Sequence, residues 1–150
     1  MEYRKATKDD IGMLMMLREE MLREVNGLPE DHIFTESFNE SSKRYFLTGD
    51  QTTCIAVENE EAAACASISY IEVMPTYSHP TGKRAHIMNV YTRSPYRRCG
   101  IARKLVTMLT DEARARGVTE IGLDATDTGR PLYEALGFRA SDEYMTMVIN

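Results

Sequence analysis

The sequence predicts a mixed α/β fold, with a central β-sheet flanked by helices, in one domain that spans residues 1–150. Three observations predict it. Segments of strand-like composition alternate with segments whose apolar residues recur at helical spacing. One strand-like run leads directly into a basic, glycine-containing turn that opens a helix. The chain of 150 residues, 43% of them hydrophobic, is large enough to bury one core.

An amphipathic helix dominates the N-terminal part. After a short predicted strand at residues 3–6, either Thr7 or Asp9 is suited to cap a helix N-terminus. The apolar residues that follow form one helical stripe, made of Ile11, Leu14, Met15, Leu17, Met21, Leu22 and Val25. Gly27 and Pro29 predict the end of this helix.

A weaker helix and a β-hairpin are predicted next. Residues 30–47 carry apolar and aromatic side chains that favour a second helix. Strands at residues 52–57 and 62–73, joined by a polar turn at 58–61, predict the hairpin. The loop at residues 74–83 contains prolines and a glycine and is long enough to cover a site.

The last third of the chain predicts the remaining sheet and helices. A strand at residues 85–92 precedes a long helix at 100–116, which ends at a glycine. A parallel-type strand at 118–124 leads to a short helix at 131–136, whose first residue is a proline. Residues 143–149 predict a closing strand.

The turn between the 85–92 strand and the long helix predicts an anion site. Its backbone N–H groups and the helix dipole both favour negative charge. The small residues Gly100 and Ala102 let a phosphate approach those N–H groups. Neither the Gly-x-x-x-x-Gly-Lys-Ser/Thr string of a nucleoside triphosphate loop nor the Gly-x-Gly-x-x-Gly string of a dinucleotide fold occurs. The turn is therefore expected to hold a pyrophosphate of another kind.

Two motifs carry a family resemblance. Residues 97–102, Arg-Arg-Cys-Gly-Ile-Ala, follow Tyr96 and match the pattern Gln/Arg-x-x-Gly-x-Gly/Ala. Downstream, residues 132–138 read Leu-Tyr-Glu-Ala-Leu-Gly-Phe. In this order and separation the motifs resemble the GCN5-related N-acetyltransferase (GNAT) superfamily, well over residues 50–150 and in outline before them. The resemblance implies a mostly antiparallel sheet with a splayed parallel pair, acetyl-CoA as cosubstrate and coenzyme A as product.

The resemblance also implies which residues hold the cofactor. Backbone N–H groups of the turn and the start of its helix would bind the pyrophosphate, at Arg97, Arg98, Cys99, Gly100, Ile101, Ala102 and Arg103. The strand before the turn would offer free backbone groups to the pantetheine arm, at Val90, Tyr91 and Thr92. Many relatives place an asparagine before the second motif; here Thr126 or Asp127 is expected to replace it.

The catalytic roles follow the same resemblance. The Val90 N–H would donate to the acetyl carbonyl, and Tyr133 would protonate the leaving thiolate. A packing role for the Tyr133 ring is the alternative. His86 stands where some relatives carry a carboxylate base, and imidazole suits that task. Asp124 and Glu72 are the other candidates for the base.

Asn89 could orient the acceptor or a water molecule, and His79 lies in the 74–83 loop, where a role in a lid and no role are both open. Cys99 belongs to the phosphate turn and is a poor candidate for an acetylated nucleophile.

Composition and charge distribution indicate which classes of partner the protein can bind. The net charge of −5 is uneven: residues 1–64 hold 14 acidic and 7 basic side chains, and the rest hold 9 acidic and 11 basic. A basic second half suits an anionic coenzyme, and an acidic first half favours a cationic amine. The absence of a basic stripe interleaved with aromatics argues against nucleic-acid binding, and the absence of a long apolar run argues against a membrane span. Three scattered cysteines predict neither disulfides nor a metal site, which fits a cytoplasmic protein.

The sequence thus predicts an acetyl-CoA-dependent N-acetyltransferase that acts on a primary amine by direct attack in a ternary complex. A small cationic amine is slightly favoured over a protein lysine or N-terminus as acceptor. The alternatives are a non-catalytic acyl-CoA-binding or sensing module and, more remotely, an enzyme for longer acyl chains. The resemblance also allows a homodimer.

Overall fold

The computed structural model describes residues 1–149 and contains one five-stranded mixed sheet. Its strands are β1 (Glu2–Lys5), β2 (Gln51–Glu58), β3 (Glu61–Glu72), β4 (Lys83–Thr92) and β5 (Glu120–Leu123). They lie in chain order across the sheet, and every neighbouring pair is antiparallel except the parallel pair β4–β5. The predicted mixed α/β fold is confirmed.

Helices cover both faces of the sheet. They are α1 (Ile11–Val25), α2 (Glu36–Thr48), α3 (Ile101–Ala115) and α4 (Arg130–Ala135). On one face α3 packs Leu105 and Leu109 against Ala64 and Ala66 of β3, and these alanines leave room for the larger side chains of the helix. On the other face α1 packs its apolar stripe against the sheet, and Leu17 of that stripe is fully buried.

A β-bulge interrupts β4 on the side of β3. Ser67 pairs with Met88 and Cys65 pairs with Tyr91, so two residues of β4, Asn89 and Val90, oppose the single residue between them in β3. Asn89 adopts a left-handed backbone with φ of 59°, a conformation that asparagine tolerates better than most residues. The bulge directs the Asn89 side chain towards α1, since its amide accepts a hydrogen bond from that helix.

The parallel pair opens beyond its fourth residue. Arg84–Ile87 of β4 pair with Glu120–Leu123 of β5, and β5 ends there. The part of β4 from Met88 to Thr92 therefore presents an open edge on that side. This is the splayed pair expected from the resemblance.

The boundaries of two N-terminal elements differ from their predictions. Thr7 caps a 3₁₀ turn at Lys8–Asp10, with a capping box closed by Asp10, and α1 begins only after it. The second helix begins at Glu36 rather than at residue 30, because the Thr35 hydroxyl accepts the Phe38 N–H and sets the N-cap there.

The closing strand predicted at residues 143–149 is wrong. These residues form neither helix nor strand, and Met145, Val148 and Ile149 are 85–90% exposed. A strand needs a neighbour that takes its backbone hydrogen bonds, and within residues 1–149 none lies beside this segment. Composition alone does not supply that neighbour.

Candidate active site

The turn between β4 and α3 presents a row of unpaired backbone N–H groups. A 3₁₀ turn at Ser94–Tyr96 takes the chain out of β4, and α3 begins at Ile101. Within residues 1–149, the six consecutive N–H groups from Arg98 to Arg103 have no hydrogen-bond acceptor; the next one, of Lys104, donates to the Gly100 carbonyl at 3.2 Å. The positive end of the α3 dipole lies at the same place. This geometry suits a pyrophosphate.

Two left-handed residues shape this row. Arg98 has φ of 62° and Gly100 has φ of 77°. A Cβ atom added to Gly100 would meet no atom within 4 Å. Glycine is therefore needed at position 100 because of its backbone angle, which L side chains rarely adopt, as well as for the approach of a phosphate.

The Arg97 side chain holds the turn to α1 instead of facing a ligand. Its Nη2 donates to both carboxylate oxygens of Glu24 at 2.8 and 3.0 Å, and its Nε donates to the Thr92 carbonyl at 2.8 Å. The guanidinium also lies 5.8 Å from the centroid of the Tyr91 ring. Arg97 can therefore contribute backbone and position, while its charge is already paired.

The β4 edge leaves Val90 as the best placed backbone donor. Val90 lies in the bulge and beyond the end of the β5 pairing. The Thr92 carbonyl is engaged by Arg97, and the Tyr91 ring is buried against α1 with its hydroxyl donating to Glu24 at 3.1 Å. Of the three residues expected to meet the pantetheine arm, Tyr91 can therefore act only through its backbone.

Tyr133 lies on α4 with its ring against the α3 core. The ring packs edge-to-face on Phe138, with centroids 6.0 Å apart, and Gly129 lies so close that an added Cβ would be 3.1 Å from Tyr133 Cε2. Within residues 1–149 its hydroxyl has no hydrogen-bond partner, and burial raises its pKa. A phenol that stays protonated near neutral pH can donate a proton to a leaving group.

His86 lies on β4 near the end of β5. Its Nε2 is 3.7 Å from the Asp124 carboxylate, which itself is 94% exposed, so two of the predicted base candidates lie side by side. The third candidate, Glu72 of β3, pairs with Lys83 at the exposed start of β4, three residues before His86. His86 precedes Val90 by four residues, and the bulge at Asn89 lies between them, so its action on an amine beside Val90 requires a chain of bridging water molecules.

The loop after β3 lies at the other end of β4 from the phosphate turn. Its His79 ring is 2.9 Å from the Thr119 hydroxyl and 3.2 Å from the Glu120 carboxylate. These contacts attach the loop to the start of β5.

A cavity of about 230 Å³ lies beside the β4 bulge, between the sheet and the first two helices. Its lining includes Arg18 of α1, Ser41, Ser42 and Tyr45 of α2, and Ser67 and Asn89 of the sheet. Sequence reasoning missed Arg18. The signal was present, since a lone arginine lies within the apolar stripe of α1, four residues after Leu14 and three before Met21.

Two further residues predicted for the site, Thr126 and Cys99, make only local contacts. The Thr126 hydroxyl accepts the Gly129 N–H at 3.1 Å and so helps to start α4. Cys99 is exposed, with its sulfur 3.4 Å from the Arg97 carbonyl.

Within residues 1–149 no group of three or more His, Cys, Asp or Glu side chains could hold a metal ion. None of the helices in that range combines the length and the apolar character that a bilayer crossing requires.

Known proteins resemble this chain in sequence and in fold. Residues 15–138 match the model of the Acetyltransferase (GNAT) family. A predicted acetyltransferase from Clostridium acetobutylicum, solved with acetyl-CoA, is 31% identical, with a TM-score of 0.86 over 98% of this chain and 95% of that one.

Two curated relatives are named glucosamine 6-phosphate N-acetyltransferase. The Trypanosoma brucei brucei protein is 29% identical over 75 residues, which are 50% of this chain and 51% of the relative, so the match spans about half the length of that relative. The Arabidopsis thaliana protein is 26% identical over 113 residues, 75% of this chain and 73% of the relative.

Proposed function

Because this chain belongs to the GNAT acetyltransferase family, we propose that it transfers the acetyl group of acetyl-CoA to a primary amine by direct attack in a ternary complex. The observation that carries the proposal is the row of six unpaired N–H groups from Arg98 to Arg103 at the start of α3. They fit a pyrophosphate, and the open edge of β4 runs from there back to the bulge beside the cavity.

The cofactor supplies an acetyl group activated as a thioester. The chain's own residues would do the rest by position and charge. The turn holds the pyrophosphate, and the Val90 N–H donates to the carbonyl oxygen of the acetyl group. His86, through water, accepts the proton that the amine loses as its nitrogen bonds to the acetyl carbon. As the C–S bond breaks, the Tyr133 hydroxyl gives its proton to the sulfur.

The cysteines support direct attack. Cys54 and Cys65 are buried, and burial raises the pKa of the Cys54 thiol to about 11 and that of Cys65 to about 12. Such thiols stay protonated near neutral pH and are poor nucleophiles. Cys99 is exposed and belongs to the phosphate turn, nine residues after Val90 in the chain. An acetyl-cysteine step therefore has no suitable residue.

The cavity beside the bulge favours a small acceptor. Its volume of about 230 Å³ is below the usual range for drug-sized ligands, which argues against a peptide. Since two relatives are named glucosamine 6-phosphate N-acetyltransferases, we propose that sugar phosphate as the first acceptor to test.

A turnover assay tests the proposal. Release of free coenzyme A thiol is followed with a panel of amines, and acetyl-CoA binding is measured by calorimetry on the same material. We expect saturable acetyl-CoA binding and amine-dependent thiol release. Binding without release for every amine would favour the non-catalytic acyl-CoA module, and no binding at all would refute the assignment of the turn.

A further inference from the structure

We propose that the cavity beside the β4 bulge binds the acceptor, and that Arg18 binds an anionic group, a carboxylate or a phosphate, that the acceptor amine carries. The proposal rests on the proposed function, because it assigns a substrate class to the same site. It is carried by a cation that the fold leaves without a counter-charge.

Arg18 is a partly buried cation with no ion pair. It lies among the buried residues Leu14, Leu17 and Met21 of α1, and burial lowers its pKa. Within residues 1–149 its one hydrogen bond runs from Nη1 to Asn89 Oδ1 at 3.3 Å. The other N–H donors of Arg18 are therefore available for a ligand.

Acidic side chains near Arg18 are paired elsewhere. On α1, Glu19 pairs with Arg23, and the two glutamates on the same helix that follow it pair with arginines after β4: Glu20 with Arg93 and Glu24 with Arg97. The nearby Cys65 thiol is neutral, because burial raises its pKa to about 12. The charge of Arg18 is thus not neutralised by the chain.

The rest of the cavity lining also suits an anion. Among residues 1–149, Arg18 is the only charged one that lines it, and the hydroxyls of Ser41, Ser42 and Tyr45 supply polar contacts. An acceptor recognised only by its ammonium group would require a carboxylate here. The lining therefore favours an anionic group on the acceptor over the small, purely cationic amine that the acidic first half of the sequence suggested.

A hydrogen bond links Arg18 to the residue that precedes the proposed oxyanion donor. Its partner Asn89 directly precedes Val90, whose N–H is the proposed donor to the acetyl carbonyl. Asn89 Nδ2 in turn donates to the Ser67 hydroxyl at 3.3 Å, and Ser67 is 2.7 Å from the Thr53 hydroxyl. The bulge therefore fixes both the anion-binding group and the oxyanion donor, which would place an amine between them.

Matched pairs of amines test the proposal. Steady-state kinetics compare glucosamine with glucosamine 6-phosphate, ethanolamine with phosphoethanolamine, and β-alaninamide with β-alanine, so that phosphate and carboxylate are separated. The wild type should favour the anionic member of at least one pair by 10-fold or more in kcat/KM. Arg18→Gln should remove that preference, on the order of 10²-fold, mainly through KM. Arg18→Lys should restore part of it.

The controls separate this proposal from the proposed function. Arg18→Gln should lower kcat/KM for the neutral amines much less than for their anionic partners and should leave the Kd of acetyl-CoA unchanged, and Arg114→Gln, at an exposed pair on α3, should change neither class. Equal use of both members of every pair, or equal losses in Arg18→Gln, would overturn the role of Arg18. If no amine reacts although acetyl-CoA binds, the proposed function fails, and equilibrium binding of the same pairs to the coenzyme A complex still decides the role of Arg18.

Discussion

At the scale of single residues, the requirement for glycine at position 100 predicts a specific loss of binding. Gly100→Ala places an L side chain at φ of 77°, which costs roughly 1 kcal/mol or forces the turn to another backbone angle. Either change reorients the unpaired N–H groups. We expect the Kd of acetyl-CoA, measured by calorimetry, to rise at least 10-fold.

Gly27→Ala is the matched control for that variant. Gly27 has φ of 63° and, like Gly100, has open space around its Cα, but it follows α1 and not the phosphate turn. The two variants should lose similar stability, and only Gly100→Ala should lose affinity. An unchanged Kd in Gly100→Ala would mean that the turn does not hold the cofactor.

Tyr133→Phe should lower turnover without weakening binding. The ring packing on Phe138 is retained and only the unpaired hydroxyl is lost. General acid catalysis contributes about 10²–10⁴-fold, so kcat should fall by at least about 10²-fold while the Kd of acetyl-CoA stays the same. Tyr3→Phe, whose ring packs at the sheet beside Lys104, serves as control. A kcat within twofold of wild type would leave Tyr133 with a packing role only.

His86→Gln should change the pH dependence of the rate. A base must be unprotonated to act, so a general base in the mechanism gives the wild-type rate profile an acidic limb. The variant should be slower near neutral pH and should lose that acidic limb. His79→Gln, in the loop bound to Thr119, should keep it. An unaltered profile in His86→Gln would assign the base to Asp124 or to water.

At the scale of elements, the pair between Arg4 and Asp10 joins β1 to the turn before α1. Two parallel hydrogen bonds of 2.8 and 2.9 Å connect the guanidinium to the carboxylate. Arg4 and, to a smaller extent, the Thr7 N–H hold the pKa of Asp10 at about 2. Because this folded-state pKa is below the unfolded value of about 3.9, the stabilisation is present above pH 4 and is lost as the pH falls towards 2.

Asp10→Asn should therefore lower the free energy of unfolding by about 1 kcal/mol at pH 7, since solvent screens a pair at the surface. The difference from wild type should shrink as the pH falls from 4 towards 2. Urea unfolding at several pH values measures it. Asp111→Asn, which breaks an exposed pair with Arg114, should cost less than about 0.5 kcal/mol. A penalty for Asp10→Asn that does not depend on pH would contradict this origin.

The elements that the sequence predicts well are those whose signals are local. The apolar stripe of α1 spans 15 residues and the continuous strand-turn-helix of β4 and α3 spans residues 83–115, and these boundaries agree with the predicted ones to within two residues. The predicted start of α2 is wrong, because Phe34 follows the helical pattern of apolar residues but lies outside the helix. Its ring packs on Phe38, with ring centroids 5.0 Å apart. Periodicity does not reveal such a contact.

The residues of the candidate site also differ in whether their sequence signals are local. The phosphate turn and Tyr133 lie in contiguous motifs, so the sequence locates them. The sequence shows Arg18 as a lone arginine in the apolar stripe of α1, but it does not reveal the partner, because Asn89 lies 71 residues away in the chain. The bulge itself depends on the register between β3 and β4, which the composition of one strand does not determine.

At the scale of the whole molecule, part of the uneven charge forms ion pairs between the acidic first part of the chain and the more basic second part. The acidic excess of residues 1–64 includes Glu20 and Glu24, which pair with Arg93 and Arg97 on either side of the 3₁₀ turn after β4. These pairs dock α1 against the start of the phosphate turn. The asymmetry that suggested a cationic acceptor therefore has a structural use.

The apolar tail and the open edge of β5 predict association between two copies. Residues 143–149 have strand composition, with Met145, Val148 and Ile149 85–90% exposed, and within the described range 1–149 no strand pairs with the outer edge of β5. Both surfaces occur on every copy, so reciprocal pairing closes as a two-fold dimer. Light scattering at about 100 μM should then give twice the 17.1 kDa chain mass. Val148→Pro, which removes a strand N–H, should shift the protein towards monomer, and Val148→Thr should not. A monomeric wild type would contradict this pairing.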